Sequence, residues 1–493
     1  MIAWLNERIH RRDDGYALVV AVILLFIMMI LLVIGLEAGS SALNQSQRGF
    51  EWSRTLTVAE NGVNDAITLL SGDRSSVTTC PIGGATACTA DGGEYQVDWT
   101  TASDGTLTIE SIGYFPTKAN AKLSRHVRVT MEPVPTFNYA LFAEDTITIK
   151  NNEEIVGDIY SSLGVTLGNG AVDCGSIVVA NGDITIDNAA TIVKEWDAAD
   201  HDGVECSGKS GLAWAGGSVF NAGAIEGDAK ASAPTGTSCS ASSTSYEITG
   251  GSVDGDATAC GKITGSVAGT RSAGTNSTQP SVQTTPEYIF DPANYPGVHC
   301  YPSTGICGPG NTSSSAVTTA NAALASSMTN LSGTYAIWQT SPTQSSSTVV
   351  KLDANDIVLS GDTTIITNAP IDFGNTNTIS LAAGVDSATF VVISLYEPTG
   401  TCNDNGGDCS IYGKNAIDFD AGDPADPDDG VVGLLYTTGK MGFKNKPQME
   451  GALYAGAMDI KNGFDITYNG RVDRILGFGS ALEETLWEEL DPS

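Results

Sequence analysis

Residues 16–36, YALVVAVILLFIMMILLVIGL, form an apolar run without a charged side chain. As a helix the run is about 32 Å long at 1.5 Å per residue, and the hydrocarbon core of a bilayer is about 30 Å thick. Its length therefore allows one membrane crossing. Arg8, Arg11 and Arg12 stand just before it, and basic residues are sparse for a long way after it. The positive-inside rule then places residues 1–15 in the cytoplasm and everything from Glu37 onward on the far side, periplasmic or extracellular. Lipid of the cytoplasmic membrane is the first partner implied.

A cleavable secretory signal has an apolar core of about 7–15 residues followed by a small-residue site. Residues 36–42, LEAGSSA, offer such a site, but the run ahead of them is longer than a signal needs. The residues beyond the run favour a retained anchor. Trp52, Leu56, Ala59, Val63, Ala66 and Leu70 recur at helical spacing, so the spanning helix is expected to continue as an amphipathic helix to about Leu70. Gly49 and Gly62 oppose this, each costing roughly 1 kcal/mol relative to Ala inside a helix.

Three alternating segments come next, 94–99, 106–115 and 123–131, with turn residues between them. They read as an antiparallel meander able to cover the helical stripe, a small α+β headpiece over 37–135. Pro133 and Pro135 mark a linker.

Residues 10–135 resemble the N-terminal region of PilX-type minor pilins of type IV pilus systems. The resemblance is carried by the basic leader, Gly15 before an uninterrupted apolar helix, the amphipathic extension with Ala59-Glu60-Asn61-Gly62, and the β segment after it. It implies cleavage by a prepilin peptidase after Gly15, with Tyr16 as the new N-terminus. Other pilins or pilus assembly components would be the partners. The fifth mature position is Val20, where major type IV pilins carry Glu. An unprocessed single-pass anchor is the alternative.

Beyond the headpiece the sequence repeats. Segments starting at Tyr139, Gly157 and Gly175 lie 18 residues apart, each a short apolar strand, a turn and a second strand ending near Asn or a small residue. The pattern returns from Gly433 and Gly451, again 18 apart. This period suits one coil of a parallel β-solenoid, or β-helix, whose inward side chains are buried only by stacking on the next coil. The chain is thus expected to be mainly β with a long N-terminal α-helix, and its solenoid to run over 136–480 with a long insertion at 195–430, in which 217–220 and 251–256 look like further coils of one continuous stack. Residues 272–285 read as a flexible loop, 316–331 as a helix, and 481–490 as a short amphipathic helix capping the solenoid's open end.

The net charge is −33, from 57 acidic against 24 basic residues. Such a surface repels phosphate backbones and excludes nucleic acid as a direct partner. A halophile's surface or a calcium-loaded one would look like this, and so would a solvated exterior. All ten cysteines lie after the apolar run, in near-neighbour pairs: Cys80 and Cys88, Cys174 and Cys206, Cys239 and Cys260, Cys300 and Cys307, Cys402 and Cys409. In an oxidising compartment these are disulfide candidates, and the spacings do not suit zinc. His299 beside Cys300 is the one place where a metal competes.

No nucleophile elbow, zinc-protease motif or phosphate loop occurs, and His10, His126, His201 and His299 are scattered. The expectation is a non-enzymatic protein without a cofactor, serving pilus assembly or adhesion. A surface adhesin unrelated to pili is one alternative, and a polysaccharide-active β-helix enzyme is another. Lys440, Lys444, Lys446 and Lys461 are the basic residues nearest to forming a polysaccharide site, but read as a solvated face. Asp418, Asp420, Asp423, Asp426, Asp428 and Asp429 crowd one loop of a kind that suits Ca²⁺, although an acidic solvent loop is the plainer reading.

Overall fold

The computed structural model describes residues 16–70, 87–101, 107–133, 137–196, 206–474 and 482–490. Short breaks fall at 291, 293–294, 296, 304–306, 344–346, 354–355, 375–377, 404–405, 415–417, 421–428 and 446–447. The chain is mainly β, with one long apolar N-terminal helix and large parallel sheets. It divides into two compact units, Met1–Pro133 with Leu482–Ser493, and Val134–Ala481.

The first unit is built on helix α1 (Tyr16–Leu70), 55 residues without a break. Four antiparallel strands lie against its second half: β1 (Cys88–Ala90), β2 (Gly93–Thr101), β3 (Leu107–Phe115) and β4 (Leu123–Pro133). The alternation in β3 buries Leu107, Ile109 and Ser111 towards the helix. Val58, Ala59, Val63 and Ala66 of α1 pack on Tyr95, Val97, Leu107, Ile109, Val127, Val129 and Met131 of the sheet. The helix thus turns its 55, 58/59, 62/63, 66 face inward, a slight rotation from the expected stripe. Trp52 stays 42% exposed, with the Arg125 guanidinium 4.0 Å over its ring.

Gly62 belongs to that inward face. A Cβ there would lie 2.3 Å from Ser111 Oγ and 2.7 Å from the Tyr95 ring, and one on Gly113 would lie 2.4 Å from the Thr55 carbonyl oxygen. The two glycines let helix and sheet approach closely, so the helix-propensity cost of Gly62 is offset by packing.

The expected C-terminal capping helix is a correction. Leu482–Leu490 is a strand, paired antiparallel with β4 at the edge of the first unit's sheet, with a bulge between Glu484 and Leu486. Its local spacing suits a helix, but β4 offers an open edge carrying Arg125 and Arg128. Glu489 reaches Arg125 at 2.8 Å, and Glu488 reaches Arg128 at 2.9 Å. Pairing with a distant edge outweighs local propensity here.

The second unit is a pile of parallel rungs. The first rung is β5 (Leu141–Ala143), β6 (Thr146–Ile149) and β7 (Glu154–Val156). The second is β8 (Ile159–Ser161), β9 (Gly164–Leu167) and β10 (Val172–Cys174), and the third is β11 (Ile177–Val179), β12 (Asp183–Ile186) and β13 (Thr191–Val193). Each strand pairs in parallel with its counterpart 18 or 19 residues on, as in Leu141↔Ile159↔Ile177 and Ile147↔Val165↔Ile184. Gly157 and Gly175 sit at one corner, where a Cβ on Gly175 would meet the Gly157 carbonyl oxygen at 2.2 Å. The main core lies between a 22-stranded and a 10-stranded sheet and takes Leu141, Ile147, Ile149 and Ile155 with Ile159, Val165, Leu167, Ile177, Ile184, Ile186 and Ile192 of the next two rungs.

The stretch 195–430, expected as an insertion, supplies rungs to the same sheets. From β13 the pile continues through Ala213–Ala215, Ala229–Ala231 and Ala257–Ala259 to Arg271–Ala273. The chain then re-enters the large sheet elsewhere, at His299–Tyr301, and builds back through Leu331–Ile337, Asp356–Thr367, Ser387–Ser394 and Gly430–Thr437 to Gln448–Ala455. That last strand pairs with β5, as Leu453↔Leu141 and Tyr454↔Phe142, while Ile466 pairs with Ile155 of β7. The first and last rungs are therefore neighbours in the middle of the pile, and their likeness in sequence has a spatial cause.

Residues 276–290 link the two halves as a strap across the outer face of the large sheet, not as the expected flexible loop. Asn276 exchanges two hydrogen bonds with the Ala233 backbone. Gln279 Nε2 donates to the Ala180 and Gly216 carbonyls, the Gln283 N–H donates to Tyr160 Oη at 2.6 Å, and Tyr436 Oη donates to the Pro286 carbonyl. Under and beside it lies a second core, in which Tyr454, Phe142 and Tyr160 stack rung on rung at 5.0 and 4.9 Å.

Candidate functional sites

In α1 the residues 20–36 expose their apolar side chains, with Leu25 at 65%, Phe26 at 63% and Met28 at 67%. The helix is long and apolar enough to cross a membrane, and none of that stretch is buried in protein. A contiguous apolar surface of this extent needs a covering phase. Tyr16 opens the helix, and Gly15 lies outside the described residues.

The C-terminal half of α1 is tied to the sheet by polar contacts as well. Arg54 Nε donates to the Asp91 carbonyl at 2.8 Å and its guanidinium lies over the Phe115 ring, and Asn61 donates to the Asp91 carboxylate. Tyr95 Oη donates to Asp65, which with burial of the ring raises the phenol above its ordinary range.

Disulfides join Cys174 to Cys206, Cys239 to Cys260, Cys300 to Cys307 and Cys402 to Cys409. Cys88 is disulfide-bonded, and Cys80 lies outside the described residues. His299 stacks on the Tyr335 ring at 5.0 Å, and His126 lies 3.4 Å from Glu110, while His10 and His201 lie outside the described residues.

Of the six loop aspartates, Asp423, Asp426 and Asp428 lie outside the described residues. Asp418 is raised above the usual carboxylate range by partial burial and the nearby Asp420 charge, and Asp429 accepts from the Gly430 N–H at 2.8 Å. Among the described residues no group of three or more His, Cys, Asp or Glu side chains could hold a metal ion.

Two buried carboxyls escaped the sequence reading: Asp173 occupies an ordinary strand position, and Glu153 stands just before β7. Asp173 shares an inward column with Ile155 and Ile192, and burial, then Asp158, pushes its carboxyl up. Glu153, fully buried where the first rung meets the last, accepts from the Phe464 N–H. Burial raises it to about 7, against the opposing pull of backbone N–H donors.

Of the lysines read as a solvated face, Lys444 and Lys461 are brought together, and Lys440 stands at the other end of its strand. Lys440 Nζ donates to the Gly400 carbonyl at 3.1 Å, and Lys446 lies outside the described residues. Lys444 and Lys461 hold equivalent places in adjacent rungs, and the Lys461 ammonium lies 3.8 Å from Asp459.

No family model matches the chain, and no curated protein sequence does. Among solved structures, it has a distant likeness to the crystal structure of the competence-associated pilin ComZ from Thermus thermophilus. The sequence identity is 11% and the TM-score 0.27, over 89% of this chain and 97% of that one.

Proposed function

We propose that this chain is a non-enzymatic, membrane-anchored protein of the PilX-type minor pilin kind, acting in type IV pilus assembly or adhesion. Its second unit is then a β-solenoid displayed outside the cytoplasmic membrane, with residues 1–15 inside. The observation that carries the reading is α1 itself. One continuous helix offers an apolar, uncovered first half to lipid or to neighbouring pilins, and packs its second half on an antiparallel sheet. The solenoid reading is supported by three-strand rungs that stack in parallel with a common register. Membrane lipid and other pilins are the partners it implies, and no cofactor is required.

The test is fractionation of cells producing the full chain, followed by N-terminal sequencing of the membrane-bound product. A start at Tyr16 is expected, and recovery of the chain free of the membrane would overturn the anchoring. An intact Met1 would favour a second reading, a surface adhesin unrelated to pili. That alternative has one residue on its side, Val20 at the position where major pilins carry Glu.

A further inference from the structure

The dipeptide Lys-Asn occurs four times in the sequence, at 150–151, 414–415, 444–445 and 461–462. The fold brings all four lysines into line. Gly413 pairs with Phe443, Phe443 with Ile460, and Ile460 with Ile149, so the residues after them occupy one position in four consecutive rungs. Backbone bonds fix the same register: Lys444 N–H donates to Gly413, Lys461 to Phe443 and Lys150 to Ile460, each at 3.0 Å. Phe443, Ile460 and Ile149 point into the core, so each lysine after them is on the outward side, with Lys414 exposed, Lys150 and Lys444 half-buried and the Lys461 side chain 14% exposed. At a rung spacing of about 4.8 Å, the four ammonium stems stand along some 14 Å of one corner.

The fold does not demand lysine there. Gly168 and Asp187 fill the same place in the next two rungs, bonding to Ile149 and Leu167. Like charges at this spacing repel, and in a chain of net charge −33 a basic row is not a by-product of composition. Asp459 enters the row, 3.3 Å from the Lys150 ammonium and 3.8 Å from that of Lys461. Even so, Lys150 is held below its ordinary value by burial and then by Lys461, with Asp459 opposing. Asn151 and Asn462 are exposed beside the row, and Asn445 Nδ2 donates across to the Lys414 carbonyl.

The geometry points to a binding site for a linear acidic polysaccharide, its carboxylates on Lys414, Lys444, Lys461 and Lys150 and its hydroxyls on Asn151 and Asn462. A polymer with one charge per sugar matches a single row of cations. A nucleic acid brings a far denser charge into the field of an acidic protein and is disfavoured. This deepens the adhesive part of the function proposed above and rests on it only for the site's outward display.

The experiment uses the full chain in detergent micelles and immobilised polygalacturonate, a carboxylated polysaccharide, with dextran, poly-glutamate and duplex DNA as comparators. Binding to polygalacturonate is expected at low ionic strength, weakening as salt approaches about 0.15 M. Replacing all four lysines by Gln should weaken it about tenfold or more, while the four-Arg variant and Lys122→Gln in the first unit keep it. Lys414→Glu, a single exposed change, should weaken it severalfold and guards against loss of folding in the multiple variant. Absence of binding, wild-type binding by the four-Gln variant, or equal or tighter binding to poly-glutamate or DNA would overturn the proposal. Failure of the anchoring reading would appear in cell fractionation and leave these measurements unchanged.

Discussion

The carboxyl of Glu153 sits where the two ends of the second unit meet, and its environment favours the proton. Its folded value of about 7 lies above the ordinary 4.5, so its contribution to stability is full below about 4.5 and is lost as pH rises through 7. Asp173, also raised, acts with the same sign. The thermal midpoint should fall by several degrees between pH 5 and 8, and Glu153→Gln should flatten that slope; parallel slopes would exclude the effect. At the same scale, two glycines of α1 should respond in opposite ways. Gly49→Ala meets nothing within 4 Å and should stabilise the helix by about 1 kcal/mol. Gly62→Ala should destabilise the first unit by about 1–3 kcal/mol despite better propensity, because its methyl group would displace Ser111 and Tyr95. Unfolding in micelles, monitored by near-ultraviolet circular dichroism, separates the two. Sequence shows the propensity cost of either glycine but not which of them touches a sheet.

At the scale of elements, the strand Leu482–Leu490 makes the first unit depend on residues more than 350 positions away, as the Arg128–Glu488 pair shows. Removing 482–493 should open the β4 edge and speed proteolysis within 107–133, read by mass spectrometry of the fragments; unchanged protection would sink this role. The helix α1 and strands β2–β4 were legible because their periods, near 3.6 and 2, are imposed locally by the surface they bury. The C-terminal strand was not, because its partner is remote and its Leu and Glu spacing satisfies a helix equally well. The strap was hidden for another reason. Its Gly, Ser, Thr and Gln composition resembles a flexible linker, while its order comes from side chains such as Gln279 and Gln283 bonding to other rungs.

At the scale of the whole molecule, each unit has its own core, and in the second Tyr160, Phe142 and Tyr454 stack at the middle. Arrays of repeats ordinarily fray from their chain ends. Here the chain ends of the unit are central rungs, paired by Leu141↔Leu453 and stacked through Phe142 and Tyr454. Hydrogen exchange should be slowest in 141–167 and 431–460 and faster towards 252–273 and 299–301, whose outer edges pair with no further strand among the described residues. Uniform exchange along the pile would contradict this. The 18-residue period was readable in the sequence, but the winding order was not, since similarity between the first and last repeats does not say that they touch. The same blindness hid the lysine row, whose members are scattered over more than 300 positions and aligned only by the return of the chain.

The meeting of the first and last rungs also sets a timetable for biogenesis. While the chain is being made, β5, β6 and β7 present a bare edge that has no native neighbour on that side until residues 448–467 arrive. A product cut short anywhere in the second half is left with that edge unsealed and open to pairing with other nascent chains. Completion of synthesis and burial of the edge are thus a single event, and an unfinished copy is marked by its open rung.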